Sequence, residues 1–169
     1  MINENLQLRS LHPSLKGLLL VFIFSVLFGY GISLILLTST SSLTPGGIEE
    51  NYLGNESNHE RGTTMKFKKS SQEMLITLHT HVFTLSILFL ICSFLLFFTG
   101  ISKRLKYFLM VEPIVSLMIT FGSLVLMWQG WTFFKYLAVV SGVAMHSIFL
   151  LSLFFIIREL YFARVVQES

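Results

Sequence analysis

Four side chains that can do chemistry stand inside stretches otherwise made of apolar residues: His79, His81, His146 and Glu112. A neutral imidazole in a membrane helix can ligate b-type haem or hydrogen-bond a quinone, and a carboxyl group in that setting can exchange protons. Each is costly to bury in hydrocarbon unless it pairs with protein or lines a cavity. His79 and His81 are two residues apart, about 200° around an α-helix, so they serve opposite faces and cannot grip one metal ion as an i, i+4 pair would. His81 shares its side with Glu73, Thr77 and Thr84, whereas His79 lines up with Ser86, Ser93 and Gly100 at seven-residue spacing. The second set is a polar, small-residue seam suited to a neighbouring helix. A metal site joining His79 or His81 to Glu73 or His59 has no ligand spacing that favours a particular ion.

His146 lies in Ser141-Gly142-Val143-Ala144-Met145-His146-Ser147, with Ala138 and Gly142 at four-residue steps before it on the same face. Small residues beside a histidine leave room for a close helix or a flat cofactor such as haem b. Counted from the ends of the apolar runs at about 1.5 Å per residue, His81 is roughly 10 Å deep and His146 roughly 20 Å. That offset argues against the two sharing one haem iron. On the same count Ser116 and Met118 match the depth of His146, and Tyr30 and Ser33 match His81 and His79. For every one of these histidines the favoured reading is an interhelical hydrogen bond and no cofactor.

Glu112, Ser116, Thr120, Ser123 and Met127 recur at helical spacing on one stripe, which must face protein or water. The favoured reading is a close helix contact with back-bonded hydroxyls; the other is a polar path to Glu112. Because Pro113 fits the first turn of a helix, Glu112 is expected to cap a helix that starts there, near Arg104 and Lys106. The alternative is a carboxylate beyond the interface that handles protons or touches a cofactor. His12 and His59 fall in aqueous segments.

The elements that must carry these residues follow from composition. With 53% hydrophobic and 12% charged residues in 169, the chain has more apolar surface than a water-soluble fold of its size can hide. Four apolar runs long enough to cross a bilayer stand at about 17–37, 74–98, 107–129 and 132–157. The first is too long for a secretory signal and reads as an uncleaved anchor. The expected fold is therefore an all-α integral membrane protein, an antiparallel four-transmembrane-helix bundle in one membrane domain. One long outer loop, 38–73, joins the first two spans, and an inner tail, 158–169, follows the last. Its small-xxx-small face Ser25, Gly29, Ser33 permits close helix approach, so each span is expected to turn at least one stripe to protein.

Arg9, Lys16, Lys103, Arg104, Lys106, Arg158 and Arg164 gather at the end bearing both termini. Arg61, Lys66, Lys68, Lys69 and Lys135 at the other end are offset by Glu49, Glu50, Glu56, Glu60 and Glu73. The positive-inside rule then puts both termini on the cytoplasmic side of a cell or inner membrane. Trp128, Trp131 and Tyr136 form an aromatic belt at the outer interface, and Asn55-Glu56-Ser57 is a sequon in the outer loop. The net charge of +3 sits at span ends, where anchoring explains it, so nucleic-acid binding has no support. The single cysteine, Cys92, excludes an intrachain disulfide and a CxxC motif. No convergent acid, base and nucleophile is present, so the chain is not expected to be an enzyme on its own. The favoured function is a small non-catalytic subunit or accessory protein of a larger membrane complex, in contact with lipid and with other membrane subunits. The alternative is a redox module that binds b-type haem or quinone through the histidines of the second and fourth spans.

Overall fold

A computed structural model of the chain describes residues 7–41, 44–56 and 65–162. A single 3-10 turn, Leu8–Ser10, precedes α1 (Pro13–Ser41), α2 (Pro45–Leu53), α3 (Ser71–Phe97), α4 (Lys103–Trp128) and α5 (Phe134–Phe162). All of these elements are helical, and α1, α3, α4 and α5 are each long and apolar enough to cross a membrane. Their 26 to 29 residues give about 39 to 43 Å of helix, so each overshoots a hydrocarbon layer of about 30 Å. This is why the helices begin or end a few residues outside the apolar runs: local capping, not hydropathy, sets their limits. Ser70 and Glu73 form a reciprocal capping box at the start of α3. At its far end the Lys106 ammonium donates to the carbonyls of Phe97 (2.9 Å) and Thr99 (2.7 Å), closing the tight α3–α4 link.

The bundle is unevenly packed. In the most apolar stretch of α4, 44% of residues are buried against protein, while in α1 the figure is 6%. Helices α3, α4 and α5 form the core, with Phe89, Leu96, Leu109, Leu117, Leu153 and Ile156 at its centre. Helix α1 leans on α5 and α2 and buries Lys16, Ile23 and Ser41. Its Ser25-Gly29-Ser33 face does not meet another helix of the described chain; the stripe that α1 turns to protein is instead the one bearing Ile23, Val26 and Tyr30. The Ser25 and Ser33 hydroxyls bond back to Val21 O and Gly29 O at 3.0 Å, and a Cβ at Gly29 would have open space around it. Back-bonding makes such residues compatible with lipid, so their presence did not require a partner helix.

The connection between α1 and α3 is partly built. Pro45 opens α2 under a Thr44 cap, and α2 lays Ile48, Tyr52 and Leu53 over Met74, Leu124, Met127 and Ala138 at the loop end of the bundle. The segment 65–70 pairs back onto α2: Asn55 N donates to Lys66 O (3.0 Å), Lys66 N to Asn55 Oδ1 (2.8 Å) and Lys69 N to Tyr52 O (3.1 Å). The Lys69 ammonium sits 4.3 Å from the centre of the Tyr52 ring. Burial pushes the Lys69 ammonium below its ordinary range, against the pull of Glu73, and pushes the Tyr52 phenol up. Trp128 Nε1 donates to Lys69 O at 2.9 Å and Lys135 bonds Glu49, tying this cap to α4 and α5. Trp128→Phe keeps the ring but removes the bond, worth about 1 kcal/mol net. The Lys69 amide should then exchange about fivefold faster; unchanged exchange would show that the indole does not hold the cap.

Candidate functional site

Near the middle of the membrane, α5 presents His146 toward α1. Its Nδ1 is 2.7 Å from the carbonyl of Gly142, one turn earlier. A carbonyl can only accept, so Nδ1 carries the hydrogen, and a ring bearing that one hydrogen keeps its lone pair on Nε2. Tyr30 of α1 faces it, the two ring centres 5.7 Å apart and tilted by 44°. Phe149, one turn further along α5, touches both Tyr30 (6.1 Å) and Phe89 of α3 (5.3 Å), so an aromatic wall backs the pair. Tyr30 and His146 are half-buried.

Depth counted from the apolar runs matches Tyr30 to His81, but the ring in contact with Tyr30 is that of His146. Helix α1 runs on to Ser41 and α5 begins at Phe134. Measured from the helix ends, Tyr30, His81 and His146 lie about 16, 15 and 18 Å deep, so it is the ring contact and not depth that pairs Tyr30 with His146.

His81 belongs to a different surface. Its ring stacks on Phe121 of α4 at 5.8 Å, near the level where Thr120 meets Ser141. His146 is five residues beyond Ser141, about 8 Å deeper. The structure therefore does not bring His81 and His146 together as paired haem ligands. His79 is exposed and stacks on Phe83 within α3, where Leu78, Val82 and Ser86 complete a shallow groove. Its seven-residue seam divides in two: Ser93 is buried and donates to Met110 O of α4 at 3.0 Å, while the His79 end is exposed, with no described helix on it. His12 is exposed, with its Nδ1 accepting from Ser14 N, and His59 lies outside the described residues. Among the described residues no three His, Cys, Asp or Glu side chains gather closely enough to hold a metal ion.

Glu112 is not a cap. Helix α4 begins at Lys103 and continues through Pro113, which places Glu112 between two and three turns inside. A proline within a helix forfeits one hydrogen bond and kinks the axis, but tertiary packing can override it; here the buried Pro113 ring contributes to the packed face. Lys106, expected near Glu112, is instead committed to the end of α3. Ser116 Oγ donates to Glu112 Oε1 at 2.5 Å, while the enclosed Oε2 has no hydrogen-bond partner among the described residues. Farther along the stripe, Ser116, Thr120, Ser123 and Met127 are all buried. Thr120 Oγ1 lies 2.8 Å from Ser141 Oγ and 2.7 Å from Ser116 O, and Ser141 donates to Leu137 O at 2.6 Å. This polar seam binds α4 to α5, with Thr120 packed over Gly142 at ordinary van der Waals distance.

A family model, Aq_1264_TM, described as a transmembrane helical domain, matches residues 42–167, the part of the chain from α2 to α5. No curated protein and no solved structure matches the chain significantly.

Proposed function

The chain belongs to the Aq_1264_TM family of transmembrane helical domains, and from that footing we propose that it serves as a small non-catalytic subunit or accessory protein of a larger membrane assembly. The observation that carries this reading is the outer part of α3. There His79, Thr80, His81 and Thr84 are exposed on a helix that crosses hydrocarbon, and α1 leans on α5 and α2 instead. Polar side chains at such depth favour protein over lipid beside them. A helix of another membrane protein lying in the Leu78-His79-Val82-Phe83-Ser86 groove would supply it. In this reading the end holding the start of α1 and the end of α5 faces the cytoplasm, as the distribution of Lys and Arg supports. A haem held jointly by His81 and His146 draws no support from the packing, since their rings stack on different helices.

Blue-native electrophoresis of mildly solubilised native membranes tests the proposal. The wild-type chain should run in one discrete band well above its own mass. The double variant His79→Leu, His81→Leu should associate about tenfold more weakly and shift toward monomer, given interhelical polar contacts of about 0.6 to 1.7 kcal/mol each. A wild-type chain that runs as a lone monomer would overturn the assignment, and an unshifted double variant would remove α3 as the contact face.

A further inference from the structure

Two polar atoms where α1 meets α5 have no hydrogen-bond partner among the described residues. Tyr30 Oη and His146 Nε2 make no hydrogen bond among the described residues, although their rings are neighbours at 5.7 Å. Both lie near mid-membrane, where acyl chains can neither donate nor accept, so leaving them bare is costly. We propose that the lipid-facing edge of this Tyr30–His146 contact is a binding site for a membrane-soluble molecule carrying a hydroxyl group, with an aromatic diol of the quinol class as its occupant.

The chemistry of the two atoms selects the group. Nε2 only accepts, because the proton of the neutral ring is committed to Gly142 O through Nδ1. The Tyr30 phenol can donate. A hydroxyl oxygen offers both counterparts, a proton for Nε2 and a lone pair for Tyr30, whereas a quinone carbonyl could satisfy Tyr30 alone. The surroundings favour an aromatic body: Tyr30 is in ring contact with His146 and Phe149, and Phe89 backs Phe149. The site is also reachable from lipid, because both residues are only half-buried and α1 is the least packed of the four spans. A metal ion fits less well, since His146 belongs to no group of three His, Cys, Asp or Glu side chains able to hold one among the described residues. The inference is independent of the partner proposed for α3, which occupies another face.

Calorimetric titration of the full chain in nanodiscs, under anaerobic reducing conditions, tests it with decylubiquinol as the probe. Saturable binding at one quinol per chain is expected. Tyr30→Phe retains the ring contacts and should weaken binding about five- to tenfold, and His146→Phe about tenfold or more, each being the loss of one hydrogen bond in a dry site. The quinol dimethyl ether and the oxidised quinone should likewise bind about tenfold more weakly. No saturable binding of the quinol, dimethyl ether binding as tightly as the quinol, or both variants binding like wild type would each overturn the site. A long-chain alcohol that binds more tightly than the quinol would keep the hydroxyl site but overturn its aromatic occupant. Haemin that develops a Soret band lost in His146→Phe would replace the hydroxyl with iron.

Discussion

Glu112→Leu is expected to make the folded protein more stable, by about 1–3 kcal/mol, the cost commonly attached to a buried polar group left without its hydrogen bond. Glu112 Oε2 is enclosed and has no partner among the described residues, so leucine removes a penalty while filling similar volume. Ser116 loses its acceptor in this variant, but its hydroxyl can turn back to the carbonyl four residues earlier, as Ser25, Ser33 and Ser141 already do. The converse variant, Ser116→Ala, leaves both carboxyl oxygens unpaired and should destabilise by a similar amount. Reversible unfolding in mixed micelles would read both. A Glu112→Leu protein that is less stable than wild type would mean that the carboxyl group has a stabilising partner beyond the described residues. A native residue that costs stability is a common mark of a position kept for some other purpose.

Gly54→Ala is expected to open the loop-end cap, destabilising it locally by at least about 2 kcal/mol. Gly54 has φ 83° and ψ 173°, a backbone region that is essentially restricted to glycine. The substitution also meets backbone: an added Cβ would fall 2.7 Å from Lys66 O and 2.9 Å from Lys68 N. Neither can swing aside as a flexible side chain would, because the segment from Lys66 to Lys69 is bonded to Asn55, Tyr52 and Trp128. Amide exchange at Lys66 and Lys69 should rise about thirtyfold, the equivalent of 2 kcal/mol at about 1.4 kcal/mol per factor of ten. The amides in the α3–α5 core should be unchanged. Unaltered exchange at Lys66 would show that the two strands of chain do not depend on this glycine.

Much of the candidate site was legible as residue types and little of it as neighbours. The unusual positions, His79, His81, His146 and Glu112, stand out in the sequence because a polar residue in an apolar run is itself the signal. The stripe from Ser116 to Met127 was likewise readable, since helical spacing alone puts those residues on the face that α4 buries. Glu112 was misjudged because Pro113 is compatible with a first turn or with a packed interior, and only the surroundings distinguish the two. Depth matched Tyr30 to His81 but could not show that its neighbour is His146, because depth along a helix does not say which helix stands opposite. Gly54 carried no signal beyond being a glycine in a polar linker; its role appears only in its φ angle and in the proximity of Lys66.

The sequence by itself determined the class and the spans. Apolar runs of bilayer length with few charges leave the backbone no way to satisfy its hydrogen bonds in lipid except as helices, and short links between the last three make them antiparallel neighbours. That reasoning needs only local chain properties. Tertiary structure alone decided that α1 stands apart from a three-helix core, that α2 and 65–70 close one end, and that Tyr30 faces His146. In lipid, apolar surface does not discriminate between a neighbouring helix and acyl chains, so pattern reveals which residues can be buried but not which helix buries them. That choice rests on shape and on a few hydrogen bonds, such as Thr120 with Ser141 and Ser93 with Met110, whose partners lie far apart along the chain.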